Sequence, residues 1–180
     1  MGTDTGTTQP GSEESTSWLP PRGALLELVA FVVGINVVGG LPGLISSPDS
    51  AWFRALEKPA FYPPEIAFPV VWTLLFTLMG VALWLVWRAS SDGVPARTRR
   101  TAIALFALQM AFNVAWTPVF FGFGELLAAF GVIVVLWGLI VATVLAFGRV
   151  DVRAALLLVP YLLWVSFAAV LNYELWRLNA

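Results

Sequence analysis

The sequence contains no cysteine and no histidine. Without cysteine the chain can form no disulfide, no zinc-thiolate site and no thiol nucleophile. Without histidine it lacks the commonest metal ligand and the side chain that normally titrates near neutral pH. Serine–histidine and cysteine–histidine catalysis are therefore excluded, as is haem held by a histidine ligand.

Charge is scarce. Only 12% of the residues are charged and the net charge is −1, whereas soluble domains carry roughly 25% charged residues. No basic field exists to attract nucleic acid. The carboxylates beside the apolar segments lie near segment ends and are not paired: Glu27, Glu65, Glu125, Asp151 and Glu174. We therefore predict no metal site and no catalytic acid–base set.

Apolar residues make up 59% of the chain, and the mean hydropathy is +0.83. Five apolar segments follow one another, and each reaches the roughly 20 residues that a helix needs to cross a bilayer. The sequence therefore predicts an all-α integral membrane bundle of five transmembrane helices. The segments run over about Ala24 to Ile45, Ile66 to Trp87, Thr101 to Phe123, Leu126 to Gly148 and Ala154 to Tyr173.

The N-terminal residues 1–22 are rich in glycine, threonine, serine and glutamate and predict a disordered tail before one membrane domain over residues 23–180. Basic residues predict the orientation. Seven lie on the side of the N-terminus and the two even loops, namely Arg22, Arg88, Arg97, Arg99, Arg100, Arg149 and Arg153, against Arg54, Lys58 and Arg177 on the other. The positive-inside rule then predicts a cell-membrane protein with a cytoplasmic N-terminus.

The third apolar segment has two different faces at 100° per residue. One carries Ala104, Ala107, Ala111 and Ala115, and the nearly opposite one carries Gln109, Asn113, Trp116 and Phe120. Small residues permit close helix approach, which predicts a homodimer through the alanine face. The alternative is packing on another helix of the same chain. The amides either line a functional interior or simply join helices.

Aromatic faces occur on two further segments. The second segment aligns Phe68, Trp72, Phe76, Met79 and Leu83, and the fifth groups Tyr161, Trp164, Phe167, Ala168, Leu171 and Asn172. Facing inward, they predict a flat-walled apolar pocket for a planar ligand; the alternative is ordinary core packing. The proline-rich first loop, with Trp52 and Phe53, is either a lid over this pocket or part of an interfacial aromatic belt.

Three stretches resemble the TspO/MBR family, the translocator protein or peripheral benzodiazepine receptor family. They are Lys58 to Pro64 with Phe68 to Thr73, then Gln109 to Gly122, and finally Pro160 to Ala168 continuing to Asn179. The resemblance implies a five-helix bundle, usually a dimer, with a cavity beneath the first loop. Family members bind porphyrins and haem-like tetrapyrroles, and in animals cholesterol and synthetic ligands.

The resemblance also implies site residues. Trp52, Trp72 and Trp164 match the family's pocket aromatics and Asn113 its pocket amide, while Leu171, Tyr173 and Arg177 fit the sterol-contact pattern. Together with the helical faces, the predicted ligand-binding residues are Trp52, Phe53, Trp72, Phe76, Gln109, Asn113, Trp116, Trp164, Phe167, Ala168 and Leu171. Phe76 departs from the family, because many members have tyrosine there.

These observations predict a membrane-embedded binding protein for tetrapyrroles such as protoporphyrin IX or haem, with sterol-like lipids as further candidate ligands. It would act in tetrapyrrole sensing, transport or stress response, with no other cofactor required. One alternative is a light-dependent porphyrin-degrading enzyme, in which Trp52 or Trp164 would donate electrons. Another is a lipid-handling scaffold.

Overall fold

The computed structural model describes residues 22–45, 50–89 and 93–180, and within these ranges it contains helices and no strand. Among the described residues, five helical spans are long and apolar enough to cross a membrane, which confirms the predicted all-α membrane bundle. Apart from Arg22, the predicted N-terminal tail lies outside the described residues. The helices are α1 (Arg22–Ile45), α2 (Ala51–Ala55), α3 (Ala67–Arg88), α4 (Ala96–Thr117), α5 (Leu126–Gly148), α6 (Val152–Leu157) and α7 (Val159–Asn179).

Two helices extend beyond their apolar segments. Helix α4 begins at Ala96, directly after Pro95, so its first turn carries arginines that the hydropathy pattern leaves outside. Helix α7 continues to Asn179, and its last turns are polar on the surface, where Arg177 pairs with Glu174 at 2.7 Å. Hydropathy identifies the part of a helix that lies in the hydrocarbon of the membrane. The hydrogen-bonded helix can continue past that part, so its bounds differ from those of the apolar segment.

Prolines change the helical geometry at two places. Pro118 follows α4 without a break and opens a π-helical turn over Pro118–Gly122, closed by the Phe123 N–H donating to the Pro118 carbonyl at 2.9 Å. Pro160 lacks an N–H, and the fifth span is interrupted at Leu158 between α6 and α7. Asp151 caps α6 by accepting from the Arg153 N–H at 2.8 Å.

The bundle is held by α4 against α5, α5 against α7, α1 against α3, and α6 against α3. At the α1–α3 contact the backbones touch: a Cβ built on Gly80 would lie 2.7 Å from the Val32 Cα. One end of the core is filled by large apolar side chains, including the stacked Phe106 and Phe147 rings and the fully buried Met79. The other end, below α2, contains a cavity.

Candidate ligand-binding cavity

A cavity of about 440 Å³ lies in the half of the bundle nearest the first loop. This volume falls in the usual range of small-molecule sites. All five spans and the loop contribute to its wall, which is lined by Asn36, Gly39, Gly40, Gly43, Phe53, Tyr62, Glu65, Phe68, Pro69, Trp72, Thr73, Phe76, Asn113, Trp116, Thr117, Phe120, Phe121, Ile133, Leu136, Trp164, Val165, Ala168, Leu171, Asn172 and Leu175.

Aromatic rings form two sides of this wall. Between α3 and α7, Phe68 meets Trp164 edge-on at 6.0 Å, and one turn further along α3 Trp72 stacks on Phe76 at 5.2 Å. On the α4 side, Trp116 stacks on Phe120 at 4.8 Å. Flat aromatic faces on different helices of the wall suit a flat ligand, because aromatic surfaces stack or meet edge to face.

The π-helical turn explains how two consecutive aromatic residues both face the cavity. Phe120 and Phe121 lie next to each other in sequence, and both line the wall. In a regular α-helix neighbours point about 100° apart, whereas a π turn widens the helix locally, and such turns are frequent at functional sites. Both rings meet Phe53 of α2 edge-on, at 6.0 and 5.0 Å between centroids.

Polar groups in the wall are held by their neighbours. Trp116 donates its indole N–H to Asn172 Oδ1 at 3.1 Å, and Asn172 Nδ2 donates to the Leu126 carbonyl at 2.9 Å. Asn36 donates to the Val32 carbonyl and to Thr77 Oγ1. The Trp164 indole N–H is buried without a partner.

Residues 50–66 of the first loop lie over one end of the cavity, and we call this segment the lid. Phe53 of α2 is buried and lines the cavity from above. Ser50 caps α2 by accepting from the Phe53 N–H at 3.2 Å. Lys58 Nζ donates to the Phe53 carbonyl at 3.3 Å and lies 5.0 Å from the Phe53 ring centroid and 5.8 Å from that of Tyr62. Lys58 thus braces the inner side chains of the lid.

The lid is also tied to the end of α7. Asn179 Oδ1 accepts from the Glu57 N–H at 2.9 Å, and Asn179 Nδ2 donates to the Glu57 carbonyl at 2.9 Å. A single side-chain amide therefore satisfies both backbone groups of one lid residue, as a neighbouring strand would. We call this pair the Asn179 latch.

The mouth of the cavity carries little charge. Glu65 is the one aspartate, glutamate, lysine or arginine among the lining residues that the structure describes. Burial, and secondarily the negative charge of Glu65, raise the pKa of Tyr62 to about 12, so the Tyr62 hydroxyl stays neutral. The cavity therefore favours neutral and apolar surfaces in its interior.

Eight of the eleven predicted ligand-binding residues line the cavity: Phe53, Trp72, Phe76, Asn113, Trp116, Trp164, Ala168 and Leu171. The other three lie beside it. Trp52 packs against Phe120 and Gly124, Phe167 contacts Phe61 and Trp164, and Gln109 is buried one turn below Asn113.

The residues of the alanine face share one environment, whereas those of the sterol-contact pattern do not. Ala104, Ala107, Ala111 and Ala115 are all exposed on the outside of α4. Leu171 is buried in the cavity wall, whereas Tyr173 and Arg177 are exposed. The three residues of the sterol pattern therefore do not share one surface of the monomer.

The sequence reasoning missed the contribution of α1. Asn36, Gly39, Gly40 and Gly43 line the cavity, and the Cβ of any residue at Gly39 would overlap the Phe76 ring. The available signal was an asparagine followed by closely spaced glycines within an apolar segment. Such a pattern indicates a helix face that carries a polar group and no large side chains and that packs closely against a neighbouring helix.

Residues 28–177 match the model of the TspO/MBR family. The chain belongs to this family. It is 41% identical to the tryptophan-rich protein TspO of Chlorobaculum tepidum over 153 residues, which cover 84% of this chain and 95% of that protein. It is 41% identical to the tryptophan-rich sensory protein of Cereibacter sphaeroides over 137 residues, covering 76% and 82%.

The relatives extend to animals. The chain is 34% identical to the human translocator protein over 163 residues, which cover 90% of this chain and 91% of that protein. The family match over residues 28–177 includes the lid and every residue that lines the cavity. The TspO/MBR fold therefore accounts for the whole cavity.

Proposed function

We propose that the cavity binds a planar, largely apolar tetrapyrrole, such as protoporphyrin IX or haem, and that the protein acts in tetrapyrrole sensing, transport or stress response. The observation that carries the proposal is a cavity lined by two stacked aromatic pairs on different helices, Trp72 with Phe76 on α3 and Trp116 with Phe120 at the end of α4. The names of the relatives, sensory protein and translocator protein, agree with a role in sensing or transport.

The charge of the wall indicates how such a ligand would lie. Within the described lining there is one carboxylate, Glu65, and no lysine or arginine. Burying the two carboxylates of a porphyrin there would be costly. The macrocycle would occupy the aromatic interior, and the carboxylates would stay at the mouth, on the same side as Arg54 and Lys58 of the lid.

Titration of three porphyrins by tryptophan quenching tests the proposal. Protoporphyrin IX, its dimethyl ester and haem should bind with dissociation constants within about fivefold of one another. The ester matches because the carboxylates stay outside, and haem matches because the chain has no histidine or cysteine to ligate its iron. Absence of binding at micromolar porphyrin would favour the lipid-handling alternative. A strong preference for haem would show that aromatic stacking is not the main contribution to the binding free energy.

A tryptophan pair supplies the matched control. Trp164→Leu removes a ring from the cavity wall and should weaken porphyrin binding about tenfold. Trp87→Leu alters an exposed indole at the far end of α3 and should leave binding unchanged. Equal effects of the two substitutions would show that the porphyrin binds the outer surface of the bundle.

Light-dependent porphyrin breakdown is a second candidate, favoured by the three oxidisable indoles of Trp72, Trp116 and Trp164 in the cavity wall. The excited porphyrin would take one electron from a wall tryptophan and pass it to dioxygen, and the superoxide formed would oxidise the macrocycle. Illumination of the complex in air should then bleach the Soret band faster than in free porphyrin, and Trp164→Phe should slow the bleaching. Bleaching at the rate of free porphyrin would exclude the enzymatic reading.

We also propose a cytoplasmic N-terminus and a symmetric homodimer through α4. The exposed alanine face of α4 supports the dimer, since small residues allow the close packing that drives helix association in bilayers. The arginine-rich ends of α3, α4 and α5 support the orientation. Each cavity would lie within one subunit, because the exposed alanines of α4 are not among the residues that line it.

A further inference from the structure

A second, smaller pocket lies at the opposite end of α4 from the ligand-binding cavity and shares no lining residue with it. Its volume is about 210 Å³, and it is lined by Arg97, Thr98 and Thr101 of α4 and by Ala146 and Arg149 at the end of α5. Ala146 is buried, whereas both arginines are exposed. The pocket is therefore a shallow basic cleft between two helices, at the level where their membrane spans end.

The positive charge of this cleft is not neutralised by any carboxylate that the structure describes. Asp151, two residues after Arg149, is held by Arg153, whose Nη2 donates to Asp151 Oδ2 at 2.8 Å. Glu27, at the same end of the bundle, pairs with Arg88 at 3.1 Å. Within the described parts of the chain, the two arginines of the cleft form no ion pair. They remain available to an anion.

The groups that line the cleft suit a phosphate group. Arginine presents several N–H donors in one plane and commonly binds phosphate through two parallel hydrogen bonds. Thr98 and Thr101, one turn apart on α4, add two hydroxyl donors. Since the described lining contains no carboxylate, a bound anion would meet no like charge there.

The surface next to the cleft distinguishes a lipid from a soluble phosphate. One turn further along each helix toward the middle of the membrane, Ala104 of α4 and Leu145 of α5 are both exposed. Both residues belong to spans that are long and apolar enough to cross a membrane, so this surface lies against hydrocarbon. A phospholipid offers a phosphate to the cleft and acyl chains to the surface beside it. Basic pockets between transmembrane helices are known to bind anionic headgroups.

We propose that the cleft between α4 and α5 binds the phosphate group of an anionic phospholipid, with Arg97 and Arg149 as its two cationic contacts. The acyl chains would lie against the exposed apolar surface of the same two helices. The site is separate from the ligand-binding cavity, so it does not depend on what that cavity binds. It also differs from the general excess of arginine at this end of the protein, which would attract anionic lipids without distinguishing one arginine from another.

Native mass spectrometry of the whole protein in a non-ionic detergent tests the site. Dioleoyl-phosphatidylglycerol and dioleoyl-phosphatidylcholine are titrated separately at one ionic strength, because they share a phosphate and acyl chains and differ in net charge. The first phosphatidylglycerol should bind about tenfold more tightly than the first phosphatidylcholine, since each arginine near the membrane surface favours an anionic lipid. Equal affinity for the two lipids overturns the proposal.

Matched double variants separate the cleft from the general charge of this end. Arg97→Gln combined with Arg149→Gln should abolish the preference for phosphatidylglycerol. Arg99→Gln combined with Arg100→Gln removes the same charge from the same end without changing a residue that lines the cleft, and it should keep the preference. A preference that is lost equally in both double variants, or retained in both, overturns the proposal.

A substitution that leaves every charge in place tests the cleft itself. Thr101 is exposed, so Thr101→Trp should fold normally while its large ring fills the space between the two arginines. The preference for phosphatidylglycerol should fall at least about fivefold, because the phosphate can no longer reach both guanidinium groups. Full retention would show that the arginines act only as a diffuse positive field, which contradicts a built site.

Competition with inorganic phosphate distinguishes the two sources of a phosphate group. Millimolar inorganic phosphate should leave most of the phosphatidylglycerol bound to the wild-type protein, because it lacks the chains that contact the apolar surface. Displacement of most of the lipid would show that the cleft is a site for a soluble phosphate and would overturn the assignment to a phospholipid.

Discussion

At the scale of single residues, Gly80 permits the backbone contact between α1 and α3. A Cβ there would lie 2.7 Å from the Val32 Cα, so the two helices would have to separate. We expect Gly80→Ala to destabilise the bundle by about 1–3 kcal/mol, the usual cost of overpacking. Gly34→Ala on α1, which meets no atom within 4 Å, is the control in thermal unfolding in detergent. Equal stability of the two variants would show that α1 shifts without cost.

Tyr62 gives a prediction for pH. Its pKa is raised to about 12 by burial first and by Glu65 second, against about 10 in an unfolded chain. The unfolded state therefore loses its proton first, and the stability that the closed lid gains from neutral Tyr62 is complete below pH 10 and is lost as pH rises toward 12. Subtracting the phenolate absorbance of Tyr62→Phe from that of wild type isolates the Tyr62 signal. The midpoint of this signal should lie about two pH units above that of free tyrosine. A midpoint near 10 would mean that Tyr62 is solvated.

The sequence predicts individual residues best where a helix fixes their direction. Asn113, Trp72 and Trp164 were expected in the site from helical faces, and they line it. Gln109 shares the face of Asn113, yet it lies below the cavity, because a helical face gives an angle around the helix and not a depth along it. Trp52 lies in the lid, whose path depends on contacts with Phe120 and Gly124 that no periodicity records.

At the scale of elements, the Asn179 latch fixes the lid to α7. Asn179→Leu removes both hydrogen bonds to Glu57 and should raise the hydrogen-exchange rate of the Glu57 amide at least about tenfold. Bound porphyrin should also leave faster, with little change in its association rate. Arg177→Gln, which breaks only an exposed pair with Glu174, is the control. An unchanged hydrogen-exchange rate of the Glu57 amide in Asn179→Leu would show that the Asn179 latch does not hold the lid.

Helix bounds were predictable to the extent that they coincide with apolar segments. Helix α5 matches the predicted segment from Leu126 to Gly148, because it contains no charged residue and follows a short loop. The π-helical turn after Pro118 and the break before Pro160 were not predicted. A proline in the sequence indicates that a helix is irregular nearby. Whether the irregularity is a wider turn or a break depends on the helices packed around it.

At the scale of the whole molecule, the proposed homodimer through the alanine face of α4 can be tested by substitution. Ala107→Leu combined with Ala111→Leu should shift the protein from dimer to monomer in detergent, because the larger side chains hold the two helices apart. Porphyrin affinity should stay within about twofold of wild type, since neither alanine is among the residues that line the cavity. The control is Ala128→Leu, on the exposed face of α5. A double variant that stays dimeric but loses the ligand would contradict the assignment of faces.

The two faces of α4 imply two rules of substitution along a single helix. On the outward face size is limited, so Ala107 and Ala111 should accept glycine or serine and reject leucine. On the inward face the requirement is for a side chain with hydrogen-bonding groups, so neither glycine nor leucine should be tolerated at Asn113. In a library that varies every α4 position, the tolerated replacements would therefore alternate with the helical period, and the phase of that alternation would report the orientation of α4 in the living membrane without any purified protein.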